Sequence, residues 1–119
     1  MLVPGSVAKV CDNSGATSLK CIRVVNGSYA GVGDTIVGVV QSCSPNSKYP
    51  KGTVQRAVVF NTKKSLRRYD GSSVRFDANT VALINPQGNP LGTRVFGPAC
   101  HDLRKKGHTK LVSLAKNVI

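Results

Sequence analysis

Five aspartates, two histidines and four cysteines are all that this 119-residue chain offers for acid–base, nucleophilic or metal chemistry; glutamate is absent. Asp12, Asp34, Asp70, Asp77 and Asp102 each fall beside a turn or at the end of an apolar run, where a carboxylate ordinarily accepts nearby backbone N–H groups. His101 and His108 have no carboxylate cluster around them in the sequence. Cys100 and His101 are adjacent, so they diverge to opposite faces of a strand or by about 100° around a helix. Both histidines read as basic surface residues. Cys11, Cys21, Cys43 and Cys100 are scattered with no Cys-x-x-Cys pair. Cys11, Cys21 and Cys43 lie in or beside apolar, strand-like stretches, so they read as small buried hydrophobes kept reduced. Gly31-Val32-Gly33-Asp34 has the look of a phosphate loop, but the dinucleotide motif needs another glycine three positions on, where Ile36 stands, and a βαβ setting that is missing. A turn before a strand is expected there instead, with Asp34 accepting backbone N–H groups. No nucleophile, base and orienting group can be assembled from this inventory, so no catalysis, metal or cofactor is expected.

The cations point elsewhere. Seventeen Lys and Arg against five acids give a formal charge of +12. A soluble surface ordinarily interleaves both signs, and one nearly emptied of acid faces a polyanion. A membrane surface would call for a basic amphipathic helix or a lipidation signal, and a spanning protein for a long apolar run; none is visible, and Met1-Leu2-Val3-Pro4-Gly5 lacks the basic start and apolar core of a secretory leader. Nucleic acid is the expected partner and a membrane is not. Residues 35–69 contain no acid but hold Lys48, Lys51, Arg56, Lys63, Lys64, Arg67 and Arg68. Beyond Asp102 come Arg104, Lys105, Lys106, Lys110 and Lys116, again with no acid. The sharpest run is 61–71, where Lys63-Lys64 and Arg67-Arg68 sit in a loop between strands and Asp70-Gly71 supplies a tight hairpin turn. The expected phosphate-binding set is Lys20, Arg23, Lys48, Lys51, Lys63, Lys64, Arg67, Arg68, Arg75, Arg104, Lys105 and Lys106. Each one that meets a phosphate releases a counterion, so binding should weaken steeply with salt. Aromatics are few, Trp is absent, and Phe60 and Phe76 occupy core-like strand positions. Base stacking is therefore not expected as the main mode; recognition of folded RNA by shape and phosphate position is.

The elements that must hold these cations are short and mostly β. Apolar, β-branched runs at 7–11, 19–25, 35–43, 54–61 and 81–84 are each closed by Gly, Asn, Asp or Pro, and Val74-Arg75-Phe76-Asp77 alternates as a half-buried strand does. Turns this dense predict a small all-β barrel or sandwich. After residue 97 the pattern changes. Pro98 suits a helix start, Asp102 falls early in that segment and Arg104, Lys105 and Lys106 late, just before Gly107, in the order the helix dipole favours. Leu111, Leu114, Ala115 and Val118 recur at i, i+3, i+4 and i+7 and predict one face of a second helix starting near Thr109. The reading is a single domain over 1–119, with a β-barrel and basic loops in 1–97 and a helical segment in 98–119.

Taken together, these segments resemble the universal ribosomal large-subunit protein number fourteen family over essentially the whole chain. The resemblance is carried by Val10-Cys11-Asp12-Asn13-Ser14-Gly15-Ala16, Tyr29-Ala30-Gly31-Val32-Gly33-Asp34, Arg56-Ala57-Val58-Val59, Thr62-Lys63-Lys64, Arg67-Arg68, Asp70-Gly71-Ser72, Val74-Arg75-Phe76-Asp77 with Asn79, Gly92-Thr93-Arg94-Val95-Phe96-Gly97-Pro98, Leu103-Arg104 and Ser113-Leu114-Ala115. It implies a five-stranded β-barrel with two short C-terminal α-helices. It implies binding to large-subunit rRNA, contacts with small-subunit rRNA at intersubunit bridges, and contact with neighbouring large-subunit ribosomal proteins. It also implies docking of a ribosome-silencing factor on a face that includes Thr93, Arg94 and Lys110, to which Lys116 is added as a nearby exposed-type cation. The chain departs from the family at Thr17-Ser18, where basic residues are common, at the short Asn26-Gly27-Ser28 loop, and at Asn61, where bacterial relatives often carry Arg. These departures and the tail over 100–108 are similar to organellar forms and imply a mitochondrial matrix setting, with plastid or bacterial cytoplasm as alternatives.

Overall fold

The structure is a computed structural model in which residues 2–25, 27–45 and 48–119 are described. Asn26 of the short loop named above lies outside the described residues, as do Met1, Asn46 and Ser47. The chain forms β1 (Val7–Val10), β2 (Ala16–Val24), β3 (Thr35–Cys43), β4 (Val54–Asn61), β5 (Leu66–Arg67), β6 (Ser73–Val74), β7 (Thr80–Ile84), α1 (His101–Lys105) and α2 (Thr109–Leu114). Five of these strands close a barrel in the order β1-β2-β3-β4-β7, while β5 and β6 form a separate two-stranded sheet. Barrel neighbours pair antiparallel except β1 and β7, which run parallel and complete the ring.

Alternation along the strands divides the core into two compartments. Leu19, Cys21, Ile36, Val40, Ala57, Val59, Val81 and Leu83 belong to one buried cluster, as expected for the barrel interior. Val58, Phe60, Ala82 and Ile84, the intervening residues of β4 and β7, pack instead with Val95, Leu103, Leu111 and Val112 under the two helices. Because β4 and β7 are covered on both faces, they read in sequence as near-continuous apolar runs rather than alternating ones. The interior is tight. A Cβ at Gly38 would stand 2.7 Å from the Leu19 side chain and 2.8 Å from the Lys20 carbonyl oxygen, so only glycine lets β2 and β3 approach there.

Several expectations from the sequence are corrected. The residues 66–67, taken as loop, form β5 and pair with β6, Leu66 opposite Val74 and Arg67 opposite Ser73. The strand expected at 74–77 ends at Val74. Burial still alternates through Asp77, but the Phe76 N–H donates to the Thr62 carbonyl (3.1 Å) instead of extending the ladder. The run expected at 19–25 starts earlier: β2 begins at Ala16 and takes in Thr17 and Ser18, whose hydroxyls both reach Ser42 Oγ across the β2–β3 ladder, at 2.7 and 2.6 Å. The first helix starts at His101 rather than Pro98, because Ala99 is engaged in a parallel bridge with Val118. The same bridge explains why α2 stops at Leu114, so that Ala115 and Val118, read as helical, lie outside it. All four cysteines are free; Cys11, Cys21 and Cys100 are buried and Cys43 is half-buried. Burial pushes the Cys11 thiol up to about 12, with Asp12 adding to the rise. Among the described residues no helix is long and apolar enough to cross a membrane.

Candidate nucleic-acid interface

Asp12 anchors the barrel end. It is buried, and its carboxylate accepts the Leu83 N–H (2.9 Å), the Ser14 N–H (3.2 Å) and the Ser14 hydroxyl (2.6 Å). The next residue, Asn13, accepts the Thr93 and Arg94 N–H groups at 2.8 and 3.0 Å and donates to Thr93 Oγ1 at 2.8 Å. That pins the exposed Thr93-Arg94 segment to the barrel. Lys110 reaches the same loop, donating to Asn89 Oδ1 at 2.8 Å. Lys116 lines a groove with Phe96 further along it. The residues expected to dock a partner therefore each lie on the 85–98 loop or adjoin it, Lys110 from α2 and Lys116 from the segment after it.

The other concentration of charge is where the β5–β6 hairpin meets α1. The hairpin turn is closed by the Arg68 N–H donating to the Ser72 carbonyl (2.9 Å) and the Gly71 N–H donating to the Arg68 carbonyl (3.1 Å). Gly71 has φ +87°, which a residue with a side chain adopts only under strain. Asp70 Oδ1 accepts the Ser72 hydroxyl (2.6 Å) and N–H (3.0 Å), and these bonds hold its carboxyl below the usual carboxylate range. Arg68 folds inward. Its Nε is 3.6 Å from Asp102 Oδ2 on α1, and its guanidinium donates to the Ile119 carbonyl. Lys106, just past α1, pairs with Asp34 Oδ1 at 2.9 Å, while Asp34 Oδ2 accepts the Gly31 N–H at 2.7 Å. The expected turn role of Asp34 is present, with an ion pair added to it. His108 is also taken up internally, its Nε2 standing 2.9 Å from the Gly33 carbonyl oxygen. Facing a carbonyl, that nitrogen must carry the proton. His108 is thus a tie between α2 and the Gly33 turn rather than a free surface base.

With Arg68 and Lys106 engaged inside the chain, the outward cations of this corner are Arg67, Arg104 and Lys105. Between them stands Tyr69, whose relative exposure is 101%. Lys105 Nζ lies 5.1 Å from its ring centroid, within cation–π range. Tyr69 lines two open grooves, one of about 480 Å³ with Arg67, Arg68, Asp102, Lys105 and Lys106, the other of about 470 Å³ with Arg68, Asp70, His101, Arg104 and Lys105.

The remaining expected cations are spread apart. Lys63 and Lys64 are exposed at the base of the hairpin, Lys64 beside Tyr29 in a shallow groove, and the Lys63 N–H donates to Asn79 Oδ1 at 2.9 Å. Arg75 is exposed just after β6. Lys20 and Arg23 project from β2, and Lys51 from the turn before β4. Lys48 lies in a groove with Tyr49 and Thr93, next to the expected docking segment. Sequence reasoning missed Tyr69, set aside with the other aromatics. Its signal was present: it follows two arginines and precedes Asp70-Gly71, with no apolar neighbour at period two to bury it. No group of three or more His, Cys, Asp or Glu side chains that could hold a metal ion occurs among the described residues.

The family model for ribosomal protein L14p/L23e matches residues 1–119, the whole chain. The chain belongs to that family, and is accordingly a structural protein of the large ribosomal subunit with a role in translation.

Proposed function

We propose that this L14p/L23e protein holds folded large-subunit rRNA through the hairpin–α1 corner, and that it does so without catalysis. The observation that carries the reading is the division of labour among the cations there. Asp34 and Asp102 hold Lys106 and Arg68 in place, and the scaffold so fixed projects Arg67, Arg104 and Lys105 outward with no acid paired to them among the described residues. Pre-positioned cations lose less side-chain freedom on meeting phosphate than free ones do. Lys63, Lys64 and Arg75 near the hairpin and Lys20, Arg23, Lys48 and Lys51 on the barrel extend the positive surface. The Thr93, Arg94, Lys110 and Lys116 side is the second contact face, suited to small-subunit rRNA at a bridge, a neighbouring ribosomal protein or a silencing factor. The departures at Thr17-Ser18 and Asn61 support a mitochondrial ribosome as the setting, with plastid or bacterial ribosomes as alternatives. Asn61 is buried, so its lack of a positive charge removes no exposed cation from this corner.

The test is co-sedimentation with large subunits lacking the protein, over a salt series. Replacing Arg67 and Arg104 by Glu should weaken association and lower the salt slope by about 0.7–0.9 for each phosphate that is no longer neutralised. Arg68 is left intact, because reversing it would also break its pairing with Asp102. An unchanged slope with both reversals in place would defeat the reading.

A further inference from the structure

Core burial does not explain the position of Tyr69. Burying an aromatic ring stabilises a fold by a few kcal/mol, yet this ring stays in solvent at 101% relative exposure. It is also held firmly. The turn that carries it is closed by two backbone hydrogen bonds and by the Asp70 carboxylate gripping Ser72 twice. Arg68, its neighbour, is tied to α1 and to the Ile119 carbonyl. The result is a flat π-surface presented on a braced hairpin, lining two open grooves of a few hundred Å³ each. Cavities of that size accept a compact organic ligand, and a nucleotide belongs to that class.

The charge around the ring selects among ligands. Lys105 stands over the ring, Arg67 borders one groove and Arg104 the other. Of the two acids nearby, Asp102 is paired with Arg68, while Asp70, turned toward Ser72, keeps its charge at the edge of the second groove, so the cations outnumber the unpaired acid around the ring. An aromatic face with a cation on each flank matches a planar base with a phosphate on each side. A continuous single strand would need a row of such faces, whereas this hairpin offers one. Double-helical RNA alone would give the ring nothing to stack on, since its bases are already stacked.

Resting on the rRNA-binding reading above, we propose that Tyr69 is a stacking platform for one unpaired nucleotide extruded from folded RNA, with Arg67 and Arg104 taking the phosphates that flank it. The hairpin then reads local RNA shape at one nucleotide, and the rest of the basic surface binds without regard to it.

The proposal is tested with the full chain and two RNA hairpins, identical except that one carries a single bulged 2-aminopurine. The wild type should bind the bulged hairpin more tightly and change the fluorescence of the bulged base. Tyr69→Ala should lose that preference, by about 5- to 150-fold, the equivalent of the ~1–3 kcal/mol that base–aromatic stacking is worth, with affinity for the fully paired hairpin unchanged. Tyr69→Phe keeps the ring face and should keep the preference. Because the side chain is exposed, none of these variants should shift the thermal unfolding midpoint. Equal affinity of the wild type for both hairpins, as expected if Tyr69 docks an acidic protein instead, overturns the proposal, and so does a preference that survives Tyr69→Ala. Failure to bind either hairpin would instead remove the rRNA-binding reading on which it rests.

Discussion

The positive charge of this protein is held in two different ways. On the barrel, Lys20, Arg23, Lys48, Lys51 and Arg56 stand out from strands and turns with no ion-pair partner among the described residues. At the hairpin–α1 corner the ion pairs Arg68–Asp102 and Lys106–Asp34 lock cation to neighbour. The barrel takes its shape from apolar packing, with the buried Asp12 carboxylate tying one end, and wears its positive charge as a coat. The corner, built from two-residue strands and a five-residue helix, is too small to hold itself by backbone pairing alone. It is braced by charge, and the braces use up Arg68 and the partly exposed Lys106 while leaving Arg67, Arg104 and Lys105 without an acid partner among the described residues. A basic residue count therefore overstates how many cations are available at the corner and describes those on the barrel more fairly.

The most forceful way to break this contrast is to remove what both regions share. Phe60 is fully buried on β4 in the cluster that also holds Leu103 of α1 and against which Leu66, Val74 and Phe76 pack. Phe60→Ala should lower stability by about 3–5 kcal/mol, read as a shift in the chemical-denaturation midpoint, and barrel and corner should unfold together. If the corner loosened while the barrel held, the two would be separate units and Phe60 no common floor.

A smaller perturbation should separate them. Asp102→Asn keeps the side-chain size but removes the charge facing Arg68, whose side chain is 20% exposed. The expected cost is about 1–2 kcal/mol, between that of an exposed pair and that of a fully buried one. Hydrogen exchange should quicken at the Arg68 and Gly71 amides and stay slow at barrel amides such as Val59. Equal loosening in both regions would mean that the corner is not independently braced.

The same contrast explains what could be read from the residues alone. β3 and β4 matched their expected limits because long apolar, β-branched runs between turn residues carry their own signal. The Asp70-Gly71 turn was legible for the same reason: the geometry needs glycine at that φ. The errors cluster where a distant partner decides. Nothing near Val118 announces that it will bridge Ala99, so the helical spacing of Leu111, Leu114, Ala115 and Val118 pointed to too long a helix. Nothing near Arg68 announces Asp102 or the Ile119 carbonyl, and nothing near Lys106 announces Asp34, 72 positions away. Sequence separated basic from acidic segments, but which cation faces outward was decided by contacts across the fold.

The smallest expected effect concerns pH and is confined to the hairpin tip. The Ser72 hydroxyl and N–H stabilise the charged form of Asp70, so its carboxyl titrates lower in the folded turn than in the unfolded chain. A group with a depressed folded-state pKa contributes its stabilisation above the unfolded value, and loses it as pH falls through the folded one. The turn should therefore be intact at neutral pH and loosen only under acid conditions, below the ordinary carboxylate range. The Ser72 amide resonance should move with the same midpoint as the Asp70 carboxyl, and Asp70→Asn should abolish that movement. Amides of barrel strands that no carboxylate touches, such as Val59, should be silent over this interval. A Ser72 amide that ignored acid, or one that moved identically in Asp70→Asn, would show that the tip is held by its backbone alone. Tyr69 would then be carried by a looser turn than the hydrogen bonds imply, and the contrast between a braced corner and a coated barrel would lose its outermost element.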